Sequence, residues 1–213
     1  MRSFFQVIAT DEQIKYTSEL VDYSMKNHII PNIWDIDDSK KAQTPFLRFI
    51  GSLGETVFAD AYKLPRHSKS FGAIDGQDHG NDFRVTIDNT KYTIDLKSMH
   101  RKSDVFHKYY VLNIPSSQLH KSESLTDLYY CVSIHLEDNK YKVSFLGSIR
   151  KKDILDEKVG KLFITGTERI RADRTSFRFI SDTYEVEFKD FIKPIISKHM
   201  KQMNGFKLID LLD

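Results

Sequence analysis

Two aspartates and a lysine are the residues whose types and spacing suggest chemistry. Asp82 opens an alternating run in which Phe83, Val85 and Ile87 interleave with Arg84, Thr86 and Asp88. After Asn89-Thr90 the alternation resumes with Tyr92, Ile94 and Leu96, and Asp95 and Lys97 fall between and after them. Period-two patterning of this kind predicts the two strands of a β-hairpin. Successive strand side chains point to opposite sides, so Thr93, Asp95 and Lys97 share one face. With Asn89-Thr90 as the turn, Asp88 pairs with Lys91, Arg84 faces Asp95 and Asp82 faces Lys97. Asp82 is then the diagonal neighbour of Asp95. Two carboxylates held close repel one another unless a cation or a proton lies between them. Such oxygen ligands suit Mg²⁺, which keeps several waters and can also accept a phosphate oxygen. A bound metal would lower the pKa of its water and screen charge developing on phosphorus. Lys97 would then position the attacking water or stabilise the pentacovalent transition state. Asp75 and Asp78, in the loop before Asp82, compete with it as first ligand.

Asp82, followed thirteen residues later by Asp95-Leu96-Lys97, resembles the PD-(D/E)xK nucleases, the restriction-endonuclease-like superfamily. In that family the first acidic residue begins one strand of a hairpin and the acidic-x-Lys triplet lies on the next. Asn81-Asp82 stands here where the family name has Pro-Asp, a departure that leaves the ligand intact. Family members often carry an upstream helix with a Gly-x-x-Gly-Glu pattern, which Gly51-Ser52-Leu53-Gly54-Glu55 matches. The resemblance, which covers roughly residues 51–134, implies a mixed central β-sheet flanked by helices in an α/β (α+β) core. It further implies a site of Asp82, Asp95, Lys97 and Glu55, with Asp82, Asp95 and Glu55 on Mg²⁺ and Mn²⁺ as a substitute. Glu55 read alone, off the apolar stripe of its helix, is a solvated charge. Gln118 resembles polar residues that some members place near the active site.

The elements that must position these residues follow from the pattern around them. Thr10 caps a helix from Asp11 to about Asn27, carrying Ile14, Leu20, Val21 and Met25. Thr44 caps a second, with Pro45 at its first position, where a missing N–H does no harm. Phe46, Ile50, Leu53, Val57 and Ala61 make its apolar stripe, and Lys63 and Pro65 end it. Ser68 to Asn81 reads as a glycine-rich loop. Strands are expected at Tyr109 to Ile114, Leu128 to His135 and Tyr141 to Leu146, the last two joined across Asp138-Asn139. Ser116 to Ser124 reads as a connection or short helix. Tyr184, Val186 and Phe188 alternate before a helix-like stretch from Pro194 to Met203. One nuclease domain is expected: a helical part over about 1–65, a catalytic sheet core over about 66–146 and a basic and helical part over about 147–213.

Lys and Arg total 32 against 30 Asp and Glu, which excludes a generic polycation and leaves room for a locally basic face. The basic candidates for nucleic acid are Arg101 and Lys102, just after the hairpin, and the stretch from Arg150 to Arg178. That stretch holds nine basic residues against five acidic ones. Its Arg150, Lys151, Lys152, Arg169, Arg171, Arg174 and Arg178 are candidates for phosphate or base-edge contact. The single cysteine, Cys131, lies in an apolar run and reads as a buried strand residue, and one thiol builds no zinc site. The short apolar stretch Ser3 to Ala9 lacks the length and cleavage site of a signal peptide, and no run has the length of a membrane span. The chain therefore reads as intracellular, cytoplasmic and without a membrane partner. No phosphate-binding G-x-x-x-x-G-K-[ST] occurs, so no nucleotide cofactor is expected. The leading reading is a metal-dependent endonuclease acting on DNA, with a type II restriction endonuclease as its foremost subtype and a homodimer if it cuts a palindrome. Phage, repair and junction-resolving nucleases share the remaining chemistry. A non-catalytic nucleic-acid-binding module and an interaction protein with accidental surface charges are the alternatives.

Overall fold

The computed structural model describes residues 2–27, 44–68, 82–87, 89–102, 109–121, 124–170 and 174–211. The acidic connector Trp34 to Asp38, nearly all of the glycine-rich loop with Asp75 and Asp78, and Arg171 lie outside them. Helix α1 (Asp11–Asn27) begins where expected. Thr10 Oγ1 accepts from the Gln13 N–H at 3.2 Å while Gln13 Oε1 accepts from the Thr10 N–H at 2.9 Å. This reciprocal cap satisfies two backbone donors that a helix start leaves open. Helix α2 (Thr44–Tyr62) buries Ile50, Leu53, Val57 and Ala61 as its pattern requires, whereas Phe46 is exposed and sets its ring edge-on to His100.

The central sheet is mixed. Its order is β11 (Lys207–Leu211), β1 (Arg2–Ile8), β6 (Lys140–Arg150), β5 (Leu128–Glu137), β3 (Thr90–His100) and β2 (Phe83–Ile87). Only the β3–β5 pair is parallel. Asp138 and Asn139 both take the left-handed backbone conformation, at φ 50° and 57°, which matches the twist of the β5–β6 hairpin they join. Helices α1 and α2 lie on one side of the sheet, with Leu53, Val57 and Phe58 packed among Ile94, Leu96, Tyr130 and Phe145. The other side carries a three-stranded sheet of β4 (Val111–Pro115), β10 (Thr183–Glu187) and β7 (Lys161–Phe163). There Phe4, Tyr129, Cys131 and Leu146 meet Leu112, Ile114 and Val186. Cys131 is buried, as expected of it, and burial pushes its thiol pKa well up. Short helices α3 (Ser116–Leu119) and α4 (Lys151–Leu155) follow β4 and β6, and β8 (Glu168–Ile170) and β9 (Ser176–Arg178) pair as a separate two-stranded sheet. Among the described residues no helix is long and apolar enough to cross a membrane.

Two expectations are corrected. The first 65 residues are not purely helical: Ser3 to Ala9 supplies most of β1, an interior strand of the sheet. Phe4, Phe5, Gln6 and Val7 are all buried, so both faces are covered and no polar alternation marks the strand. The stretch from Pro194 to Met203 is not a helix. It is irregular up to a single 3₁₀ turn at Met200–Gln202, where Ser197 Oγ accepts the Met200 N–H at 3.2 Å. A side chain there takes the backbone donor that a continuing helix would bond to its own carbonyl. At Gly147, with φ 120°, a Cβ would lie 2.1 Å from the Ile192 carbonyl oxygen. Glycine lets the C-terminal segment bridge back to Ser148 before β11 joins β1.

Candidate active site

The β2–β3 hairpin forms, and its register differs by two residues from the one expected. Ile87 pairs with Thr90 and Phe83 with Ile94, so Thr90 belongs to the strand and not to the turn, and Arg84 faces Thr93 rather than Asp95. Asn89 takes the positive φ of 62° that the turn needs, while β-branched Thr90 stays in the strand. A shift of two preserves every face. Continued one residue beyond β2, this register sets Asp82 directly opposite Asp95.

Asp82 is held at both ends. Its Oδ2 accepts the Leu96 N–H at 2.6 Å, and its carbonyl oxygen lies 2.7 Å from His67 Nε2. Asp95, only 5% exposed, carries its charge against Lys97, whose Nζ lies 2.8 Å from Oδ2. In the adjoining parallel strand Tyr129 pairs with Asp95 and Cys131 with Lys97. The Lys97 ammonium stands 5.6 Å from the centroid of the Tyr129 ring, within cation–π reach. Burial, and after it the Asp95 charge, push the Tyr129 hydroxyl above its ordinary pKa. That hydroxyl is buried and has no hydrogen-bond partner among the described residues.

Glu55 reaches this site from the other side of the sheet. A Cβ on Gly54 would lie 2.0 Å from Ser98 Oγ, so glycine allows α2 to press its backbone onto β3. That contact explains the second glycine of the Gly-x-x-Gly-Glu pattern; Gly51 has open space around it. Glu55 Oε2 lies 3.0 Å from His67 Nδ1, which puts an acceptor before each ring nitrogen of His67. A ring protonated on both nitrogens satisfies both contacts. His67 also stacks on Phe83, and its carbonyl oxygen accepts from Tyr16 Oη at 2.5 Å. The neighbouring Arg66 grips Asp60 and Glu12 with paired bonds, which ties this junction to α1 and α2. Sequence reasoning missed His67. Its partners lie 12 and 15 residues away, with no local motif joining them.

The basic candidates fall into two groups. Lys102, Arg150, Lys152, Arg174 and Arg178 are exposed, and Lys151 is half-buried. Arg101 and Arg169 are each engaged by a neighbouring side chain. The Arg101 guanidinium lies 4.8 Å from the Tyr110 ring centroid. Arg169 donates from Nε and Nη2 to Glu185 Oε1, at 3.1 and 2.9 Å. Across β3, β5 and β6 the pairs Ile94–Leu128 and Leu128–Arg150 form one row. Two strand spacings, about 10 Å, therefore separate the start of Arg150-Lys151-Lys152 from the hairpin end that carries Asp82 and Asp95.

Among the described residues no group of three or more His, Cys, Asp or Glu side chains lies together as a metal site. The donor set of Asp82 and Asp95 nevertheless fits Mg²⁺, which commonly takes one or two carboxylates and fills the remaining positions with water and phosphate. The buried Tyr129 hydroxyl adds a polar atom beside that carboxylate, in keeping with a hydrated cation there. Glu55, the third expected ligand, lies against His67, whose other ring nitrogen faces the Asp82 carbonyl oxygen. No family model, no curated protein and no solved structure matches the chain.

Proposed function

We propose that the chain is a Mg²⁺-dependent endonuclease that hydrolyses phosphodiester bonds in DNA. The observation that carries this reading is the buried Asp95 paired to Lys97 at 2.8 Å, with the Asp82 carboxylate bonded to the N–H of Leu96 between them in sequence at 2.6 Å. Asp82 and Asp95 would hold the cation, whose role is to polarise a phosphate oxygen and acidify a coordinated water. Lys97 would orient the attacking water and balance charge as the phosphorus–oxygen bond to the leaving nucleotide breaks. His67 and Glu55 would keep Asp82 in place from behind. Arg150, Lys151 and Lys152, at the same end of the sheet, would meet the phosphate backbone. A restriction-endonuclease-like core and a type II restriction endonuclease are the finer reading. In it two copies would each cut one strand.

Incubating the wild type and Asp95→Ala with plasmid and short duplexes, in Mg²⁺ or EDTA, tests the proposal. Cleavage that needs the metal and Asp95 supports it; no cleavage of either substrate overturns it. Binding without cleavage supports a second reading, a non-catalytic nucleic-acid module. The Lys97 ammonium already on Asp95, and the absence of a third ligand among the described residues, favour that alternative. RNA run in parallel checks the substrate class.

A further inference from the structure

The Asp95 carboxylate has to serve two cations. It is 5% exposed, a burial that is costly for a carboxylate unless a positive group accompanies it, and Lys97 Nζ lies 2.8 Å from Oδ2. A divalent ion drawn to the same oxygen would meet the ammonium at close range, where like charges repel strongly in a partly desolvated site. Lys97 has somewhere to go. Its side chain is 22% exposed, and it already lies over the Tyr129 ring, which offers a π face to a cation. The Tyr129 hydroxyl beside them has no hydrogen-bond partner among the described residues to lose when the charges rearrange.

We infer that the Lys97 ammonium is a built-in occupant of the cation seat on Asp95, and that a divalent ion binds by displacing it from Oδ2. The seat is thus neutralised in the metal-free protein, which keeps a buried carboxylate stable without metal. Binding of the ion releases Lys97 from its carboxylate and makes its charge available to a phosphate. This deepens the metal-site part of the nuclease reading and makes its own demand: removing the lysine charge must improve metal binding even as it impairs turnover.

The test compares wild type, Lys97→Met and Asp95→Asn in mildly alkaline buffer, with Mn²⁺ binding followed by electron paramagnetic resonance and thermal melting recorded in EDTA and in Mg²⁺. Lys97→Met should bind Mn²⁺ roughly tenfold more tightly than wild type, the scale expected when one close opposing charge is removed. It should melt lower than wild type in EDTA and recover on adding Mg²⁺, since the ion stabilises the form that binds it. Asp95→Asn should lose the Mg²⁺ response. Lys97→Gln, which keeps a hydrogen-bond donor and drops the charge, gives the same comparison should the methionine variant fold poorly. Equal or weaker Mn²⁺ binding by the lysine variants overturns the inference, as does a wild type and variants that all fail to bind. Plasmid cleavage separates this failure from that of the nuclease reading. Wild type that cuts while Lys97→Met gains no affinity sinks only the shared seat. Wild type that does not cut while Lys97→Met binds more tightly sinks only the nuclease.

Discussion

Two buried carboxylates among the described residues, Glu185 and Asp95, are each paired with a base, and the manner differs. Glu185 on β10 and Asp95 on β3 are both 5% exposed. Glu185 receives Arg169 through two nitrogens, while Arg169 Nη1 donates to the Ile170 carbonyl at 3.2 Å and the guanidinium lies over Phe163. Asp95 receives the Lys97 ammonium, and beside it sits the buried Tyr129 hydroxyl, which has no hydrogen-bond partner among the described residues. A guanidinium fixes several donors in one plane, whereas an ammonium is a point charge on a flexible stem. The first pair is a closed clasp joining the β8–β9 hairpin to the smaller sheet. The second can be opened. Equal burial and equal charge therefore produce a structural bond in one place and a replaceable one in the other.

The largest expected effect sharpens this contrast from the functional side. Asp95→Asn should reduce plasmid cleavage about a thousandfold, the scale seen when a group stabilising developing charge is removed. Melting should change little, because Lys97, 22% exposed on its flexible stem, can turn to solvent. The corresponding change at the clasp, Arg169→Met, should leave cleavage intact at permissive temperature. It should lower stability by about 3 kcal/mol in urea melts, because it strands the buried Glu185. Arg169→Met combined with Glu185→Leu should return to within about 1 kcal/mol of wild type. Cleavage lost in Arg169→Met under conditions where the protein is folded would break the comparison and make the clasp part of the site.

The two pairs also differ in how far the sequence announced them. Asp95 and Lys97 stood out because strand alternation places residues two apart on one face, and that inference survives a register error of two. The register itself was not legible. It depended on which of Asp88, Asn89 and Thr90 would turn, a choice settled by the positive φ of Asn89 and by β-branched Thr90 staying in the strand. Arg169 carried no local sign that its charge would face Glu185, sixteen residues away. Arg101 likewise looked like a surface cation and packs on Tyr110. Strand β1 escaped because burial on both faces erases periodicity, and the C-terminal strand because its only reason to extend is the open edge of β1. His67 was invisible because its ring contacts with Glu55 and Asp82 join residues of separate elements that only the folded chain brings together.

That docking gives the next effect in size. Gly54→Ala places a methyl 2.0 Å from Ser98 Oγ and 3.1 Å from Ser98 Cβ. It should cost about 2 kcal/mol as α2 shifts off β3. Since Glu55 follows Gly54 and contacts the imidazole that holds Asp82, the same shift should weaken cleavage. Gly54→Ala with Ser98→Gly removes the clash and should restore both readouts, measured by urea melts and plasmid cleavage. Restored stability without restored cleavage would mean that α2 supports the fold and not the position of Asp82.

The smallest effect on stability is the most telling about the open pair. Tyr62 and Tyr130 share a hydrogen bond of 2.7 Å between their hydroxyls, and burial pushes the Tyr62 pKa up to about 12. Tyr62→Phe removes one partner of a buried pair and should cost about 1 kcal/mol. Tyr129→Phe removes a buried hydroxyl that no atom of the described residues holds, so its stability should stay level or rise by less than about 1 kcal/mol. The ring over which Lys97 sits is retained, so the resting Asp95–Lys97 pair should also persist. Melting curves of the two variants side by side give the comparison directly. A Tyr129→Phe protein that melts as low as Tyr62→Phe would show that the hydroxyl is held by ordered water as firmly as a protein partner would hold it. Asp95 would then sit in a closed network like that of Glu185, and the distinction between clasp and seat would fail at its most sensitive atom.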